Sequence, residues 1–402
     1  MSSGSVRVAT TRPVRGTRPS NRRALIIAAA EEMFYRDGYA AVSMSGVAEA
    51  VAVGPSALYR HFSSKHDLLA AVVEESLSAV GDVLDRARTD SPDLLTRVAA
   101  TALEFRRVGV LWRRESRHLA ESTRAEIQDQ VLAISARLTE IVRDRRPELR
   151  QAEADLLAWA LLAVATSISF HGLKLPAERF TRVLASMLEA VCSAEFAALG
   201  PRSPRRTPAP RWYPSRRAEI ISAATELIAQ RGYSSVGMED IGAAVGIAGA
   251  SIYKHFAGKA EILVEVLDQG SVILRADLIR ALDAADSAQD ALRALVVAYS
   301  TYVLTNPALF GLLALEVDIL DPAEHRRIRD VQLAYVAEWV QLVRQIHPDQ
   351  DAVEARIRVQ AVLGVVNDLA STPHVRAHSD VGAAIVAVCA TLLGIQPPRQ
   401  GM

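Results

Sequence analysis

Apolar residues along this chain recur at helical spacing, and the pattern occurs twice. Ile27, Ala30 and Phe34 stand at i, i+3 and i+7, and Ile221, Ala224 and Ile228 repeat that spacing 194 positions later. This predicts an amphipathic first helix in each of two equivalent stretches. Gly38 and Gly232 close those helices, as a residue at a left-handed C′ position does. A short second helix is predicted at Met44–Val51 and Met238–Val245, and a third at Pro55–His61 and Gly249–His255. Two short helices around a tight turn make a helix-turn-helix, whose second helix enters a major groove.

The stretches Asn21–Lys65 and Ser215–Lys259 align without a gap. Arg22/Arg216, Gly38/Gly232, Tyr39/Tyr233, Tyr59/Tyr253, His61/His255, Phe62/Phe256 and Lys65/Lys259 coincide. A repeat at domain spacing predicts two copies of one unit. A longer helix follows in each. Ser64-Lys65-His66-Asp67 fits a capping box, and Gly258-Lys259-Ala260-Glu261 keeps the acid but has glycine at the cap. Its apolar stripe is Leu69, Val73, Leu77, Val80 and Leu84 in the first copy, and Ile262, Val266, Ile273 and Leu274 in the second. Residues from about 90 to 199 and from about 287 to 395 read as further amphipathic helices interrupted by prolines, with no alternating strand pattern. The expected fold is all-α. Its expected parts are a basic arm (1–20), a first head (21–67), a first helical sensor domain (68–199), a linker (200–214), a second head (215–261) and a second sensor domain (262–396).

Composition narrows this picture. A chain of 402 residues forms at least two domains, and 5% aromatics suits packed helices. Net charge is zero, so any nucleic-acid binding must come from local placement of charge. Cys192 and Cys389, 197 positions apart, point to a reduced cytosolic protein and read as small core residues or as redox groups. No signal-peptide core opens the chain, and the apolar runs Leu156–Phe170 and Val381–Ile395 fall short of a span of roughly 20 residues, so a soluble protein without membrane association is expected. The arm carries Arg7, Arg12, Arg15 and Arg18 with no acid, and is either a solvated tail or a DNA-touching extension. The Pro/Arg linker reads as extended.

Ser43-Met44-Ser45-Gly46-Val47-Ala48, Leu58-Tyr59-Arg60-His61-Phe62 and Lys65, with Ile241-Gly242, Val245-Gly246-Ile247, Ile252-Tyr253-Lys254-His255-Phe256 and Lys259, make each half resemble a TetR-family transcriptional regulator. The resemblance implies a three-helix DNA-binding head and a helical domain for ligand binding and dimerisation. It makes Tyr59, Tyr253, Lys65 and Lys259 phosphate contacts, with Ser43, Arg60, His61, Lys254 and His255 beside them. Base edges would meet Pro55, Ser56 and Ala57 in one head and Gly249, Ala250 and Ser251 in the other, none of which makes a bidentate guanine contact. Shape readout then carries part of the specificity. The heads depart from the family pattern in different places. Ala52 replaces the turn glycine and Gly54 the serine of the first head, while Gly237 and Ala248 replace hydroxyl residues in the second. Replacing such a cap costs about 0.5–2 kcal/mol with alanine and a few tenths with glycine. The bland reading of Tyr59 and Phe62 is core packing, and each head is charge-balanced.

By the same resemblance the fusion supplies both halves of a dimer in one chain. The segments ending at Cys192 and Cys389, with Leu156–Phe170 and Ile357–Leu369, form the expected four-helix bundle of a monomeric pseudo-dimer, its heads about one helical turn (~34–36 Å) apart. Non-identical heads imply an imperfect or asymmetric operator on double-stranded DNA. Val110–Leu119 also resembles the tandem TetR regulators of mammalian-cell-entry lipid or sterol uptake operons, which implies a hydrophobic effector such as an acid, a sterol derivative or a coenzyme A thioester. Arg106, Arg107, Arg113 and Arg114 with Trp112 could meet an anionic head group or form a solvated face, and the second sensor domain offers Tyr302, Phe310, Glu316 and Tyr335. His374 and His378 have Pro373 before them and no acid at metal spacing, so no metal site is predicted. Neither a cofactor motif nor a nucleophile motif is present, and an enzyme is not expected. The reading is a ligand-responsive repressor. The alternative is a helical small-molecule-binding protein with degenerate heads.

Overall fold

A computed structural model describes residues 21–86, 93–202, 213, 215–309, 312 and 316–395. The basic arm, Pro92, most of the linker and Phe310 lie outside them. Among the described residues the structure is helical, apart from an isolated bridge between Arg202 and His378. The chain divides into two compact units, residues 1–137 and 138–402, so the boundary falls inside a helix and not at the linker.

In the first unit α1 (Arg22–Ala41, broken by a kink at the non-helical Gly38), α2 (Met44–Ala50) and α3 (Pro55–Tyr59) form the head, and α4 (Lys65–Arg86) leads away from it. Ile26, Phe34, Val47, Leu58, Leu68, Leu69 and Leu111 are fully buried and fix α1 against α2, α3 and α4. The third helix is two residues shorter than expected, with Arg60 and His61 in the turn that follows. Next come α5 (Leu94–Glu104) and α6 (Val108–Val110), which continues as a π turn (Leu111–Glu115) and a 3-10 turn (Ser116–His118). Wide turns of this kind occur often at functional positions. Helix α7 (Glu121–Arg145) runs through the unit boundary.

The second unit holds α8 (Gln151–Ser167) and α9 (Ala177–Cys192), then the second head, α10 (Arg216–Arg231), α11 (Met238–Ala244) and α12 (Gly249–Ile252). Helices α13 (Lys259–Asp283), α14 (Ala288–Thr305), α15 (Pro322–Ile346), α16 (Ala352–Ser371), α17 (Pro373–Arg376) and α18 (Val381–Leu393) complete it. Ile262, Val266 and Leu274 are buried on α13 as the pattern predicts, but Ile273 is 41% exposed.

The unit boundary has a packing cause. Helices α8 and α9 from the first half of the sequence pack on α16 and α18 from the second. Leu156, Leu157, Ala160, Leu161 and Val164 are buried on α8, as are Val359, Val362 and Val366 on α16. Small residues let these helices approach, since a Cβ at Gly364 would lie 3.4 Å from Ser167 Cβ. Polar pairs close the rim: Arg179 Nε to Glu354 at 2.7 Å, Arg358 Nη2 to Ser186 Oγ at 3.0 Å, and His374 Nε2 to Asp155 Oδ2 at 3.0 Å.

His374 pairs with Asp155 of another element, and its ring meets Trp159 edge-on at 5.6 Å. Among the described residues no group of three or more potential metal ligands occurs. The described start of the linker is docked: Gly200 N and Pro201 O exchange hydrogen bonds with Ser379 at 3.2 Å, and His378 Nδ1 meets Gly200 O at 3.0 Å. The segment Gln151–Phe170 is long and apolar enough to cross a membrane by length and composition, and 67% of its apolar window is buried inside the protein. Both cysteines are buried, with desolvation pushing the Cys192 thiol up to about 11 and the Cys389 thiol higher still, so both stay protonated core residues.

Candidate nucleic-acid interface

Each head is organised around the glycine that ends its first helix. Gly38 (φ 77°, ψ 156°) and Gly232 (φ 79°, ψ 152°) have positive φ, but ψ lies far from the left-handed helical value expected. This region of backbone space is essentially closed to other residues. The chain therefore turns out of the helix sharply and presents carbonyls in a corner. Lys65 Nζ donates to Tyr39 O and Val42 O, both at 2.8 Å, and lies 4.2 Å from the Tyr39 ring centroid. Lys259 repeats this on Tyr233 O, on Val236 O and over the Tyr233 ring at 4.2 Å. The two lysines expected on phosphate are struts in this structure, because the corner carbonyls have no helical partner and a buried acceptor must be satisfied.

The surface beyond the strut is available. Pro55, Ser56, Tyr59, Arg60 and His61 are exposed and Ala57 is half-buried; in the second head Ala250, Tyr253 and Lys254 are exposed, with Ser251 and His255 half-buried. Tyr59 and Tyr253 are 52% and 57% exposed, unlike Phe62 and Phe256, which are core. Neither Arg60 nor Lys254 makes an ion pair among the described residues, so both charges can meet phosphate. Gly249 is not on this surface. It is buried, and a Cβ there would lie 3.0 Å from Glu239 Cα. Gly242 faces it, so the second head's two short helices touch backbone to backbone. The first head carries Ala48 and Pro55 at those positions.

The heads cap their second helix by opposite halves of one motif. Ser43 Oγ accepts from Gly46 N at 3.0 Å, so this hydroxyl caps the start of the helix. In the second head Gly237 has no side chain, and Asp240 reaches back to Gly237 N at 2.8 Å. Each arrangement satisfies one of the orphan donors of the helix start. At the α4 start Ser64 Oγ accepts from Asp67 N at 3.1 Å, while in the second copy Glu261 takes Ala257 N at 2.6 Å. Ala52 adopts φ 54° in the turn where Gly246 has φ 71°.

Each head is joined to its sensor domain by a buried carboxylate. Glu316, 3% exposed, accepts from Tyr233 N at 3.2 Å. Glu115, also 3% exposed, lies beneath Gly38 and is held by Arg114, whose Nη2 donates to Phe34 O at 2.9 Å and Tyr35 O at 3.1 Å. Burial, and after it these acids, push the Tyr39 and Tyr233 hydroxyls above their ordinary value. Glu316 is thus a junction residue between the second head and the helices behind it. Arg114 and Arg107 belong to α1 as well, Arg107 through Glu32 and Glu31, and Trp112 packs on the first head's core. Burial lowers both Arg106 and Arg113, Arg113 to about 10. In the second sensor domain Tyr302 is half-buried and burial pushes its hydroxyl up to about 12. Tyr299, Tyr335 and Trp339 form an aromatic cluster with centroids 6.0–6.5 Å apart, and Tyr299 donates to Asn367 at 3.0 Å.

Comparison with known proteins agrees with this geometry. Residues 26–72 and 220–266 each match the family described as bacterial regulatory proteins, tetR family. The HTH-type transcriptional activator FasR of Mycolicibacterium smegmatis is 31% identical over 88 residues, which are 22% of this chain and 40% of the relative's length. Solved structures similar to one half include PfmR of Thermus thermophilus (22% identity, TM-score 0.40, covering 47% of this chain and 100% of that one). Another is KstR2 of Mycobacterium tuberculosis, a ketosteroid transcriptional regulator (25% identity, TM-score 0.38, 46% and 95%).

Proposed function

Through both of its heads the chain belongs to the tetR family of bacterial regulatory proteins, and on that premise we propose that it is a cytoplasmic, ligand-responsive transcriptional repressor. It binds double-stranded DNA with two non-identical heads on an imperfect or asymmetric operator. The observation that carries this is the shared framework with divergent surfaces. Gly38/Gly232, Lys65/Lys259 and Tyr59/Tyr253 repeat, while Pro55 stands where Gly249 does and Arg60 where Lys254 does. Tyr59, Arg60, Tyr253 and Lys254 grip phosphate, and Ser56, Ala57, Ala250 and Ser251 face the bases.

A pseudo-dimer within one chain is supported by the packing of α8 and α9 on α16 and α18, the place where separate family members pair. The effector is a hydrophobic molecule, acyl-CoA-like or sterol-derived in class. Arg106, desolvated near Tyr35 of α1, and Arg113, desolvated by burial, favour an anionic group on the ligand of the first sensor domain. Ligand there shifts the π turn that carries Arg114 and Glu115, and with it the end of α1. Such a shift biases the head between two positions, which is how a remote ligand changes DNA affinity.

Footprinting on DNA flanking the chain's own gene tests the reading. One protected site of imperfect symmetry per chain, with steep salt dependence and preference over random duplex, is the expected result. A perfect palindrome that needs two chains would remove the pseudo-dimer, and salt-insensitive or absent binding would remove DNA recognition altogether.

A further inference from the structure

We propose that the exposed face of α13 is a self-association surface that takes a second copy of this chain, the two helices pairing antiparallel about Ile279. Val272, Ala276 and Ile279 stand at i, i+4 and i+7, hence on one helix face, and all are exposed, Val272 at 68% and Ile279 at 51%. Ile273 and Leu282 flank them at 41% and 40%. Contiguous apolar surface of this kind marks an interaction site on a folded protein.

The fold does not require apolar side chains here. The same positions of the twin helix α4 carry Ser78, Asp82 and Asp85, and they too are exposed. One copy of the unit is therefore built with a polar face and the other with an apolar one, in the same structural place.

The flanking charges identify the occupant. Arg275 and Asp283 are exposed, and neither makes an ion pair among the described residues. They stand four residues before and four after Ile279, about 6 Å along the axis on either side. A two-fold axis through Ile279 sets Arg275 of each copy opposite Asp283 of the other and Ala276 opposite Leu282, so small meets large. This is the self-complementarity an isologous interface demands. Asp283 also ends α13, where an acid faces the negative end of the helix dipole, and a partner's guanidinium offsets that.

Sedimentation and light scattering on the full chain, without DNA, test this independently of the regulatory reading. The wild type is expected to reach twice the 43.5 kDa chain mass as concentration rises. Ile279→Asp, which restores the residue type of the twin helix, is expected to weaken the dimer by about tenfold or more, and Arg275→Asp or Asp283→Arg by about tenfold each. Mixing Arg275→Asp with Asp283→Arg recreates both charge pairs across a heterodimer and is expected to recover the association. Circular dichroism establishes that each variant is folded. A wild type that stays monomeric overturns the proposal, whether the face is then bare or holds another partner. So does a dimer unchanged by Ile279→Asp, or a mixture of folded variants that fails to recover.

Discussion

The Glu316 carboxylate accepts the backbone N–H of Tyr233 at 3.2 Å, across 83 residues of sequence. A sensor-domain side chain thereby completes the corner that Gly232 opens in the second head. Glu316→Leu leaves that amide without its acceptor, and an unsatisfied buried donor costs about 1–3 kcal/mol. Chemical denaturation should show a loss of that size. Hydrogen exchange at the Tyr233 amide should accelerate more than at amides of α16. Unchanged exchange at Tyr233 would remove the junction role.

Lys65 and Lys259 separate stability from DNA contact. Lys259→Met removes a charge-assisted pair of hydrogen bonds and should destabilise by about 1.5–3 kcal/mol, while leaving the salt dependence of DNA binding unchanged. Arg60→Ala or Lys254→Ala should do the reverse, with stability within about 0.5 kcal/mol of wild type and a salt slope reduced by about 1. A reduced slope in Lys259→Met would return that lysine to the phosphates.

Ala52 and Gly246 occupy the same left-handed turn, and only one of them fits it without strain. A side chain in this conformation costs roughly 1–2 kcal/mol, against about 0.4–1 kcal/mol of unfolded-state freedom that glycine restores. Ala52→Gly should therefore stabilise by up to about 1 kcal/mol, and Gly246→Ala should destabilise by a similar amount. Thermal melts of the two variants give opposite signs if the turn is as described.

His118 stacks on Tyr39 at 4.7 Å, and its Nε2 lies 3.6 Å from Glu115. Burial lowers its pKa, as do Arg117, Lys65 and His66, while Glu115 works against them. The folded state thus takes up this proton less readily than the unfolded chain. Stability contributed here is fully present above the ordinary histidine range and declines as pH falls through it. Melting temperatures between pH 8 and pH 5 should fall less steeply in His118→Asn than in wild type, and parallel curves would refute the assignment.

The heads were legible in the residues because their repeat keeps one register: every framework position lies 194 from its twin. The junction acids were not, because Glu115 and Glu316 lie 201 apart. The sensor domains have slipped seven positions out of phase, so an alignment keyed to the heads sets neither acid opposite the other. The lysine strut was hidden for another reason. A conspicuous cation near a helix-turn-helix reads as a phosphate ligand until the glycine corner shows two carbonyls aimed at it. Ile273 satisfied the helical period and still faces outward, since a repeat of 3.6 admits neighbours at the stripe's edge that packing then excludes.

The seam between α8 and α16 also sets a schedule for synthesis. Helix α8 is complete at Ser167, and its apolar partner begins at Ala352. At roughly 5–20 residues per second the ribosome needs about 10–40 s to deliver that partner. Through this interval each nascent chain carries an oily helix covered by α9 alone, and two ribosomes on one message bring two such helices close together. Exchange of halves between neighbouring chains is then a competing outcome of translation. The residues at Gly200–Arg202, already shaped to dock on His378 and Ser379 of their own chain, weight the contest toward self-completion.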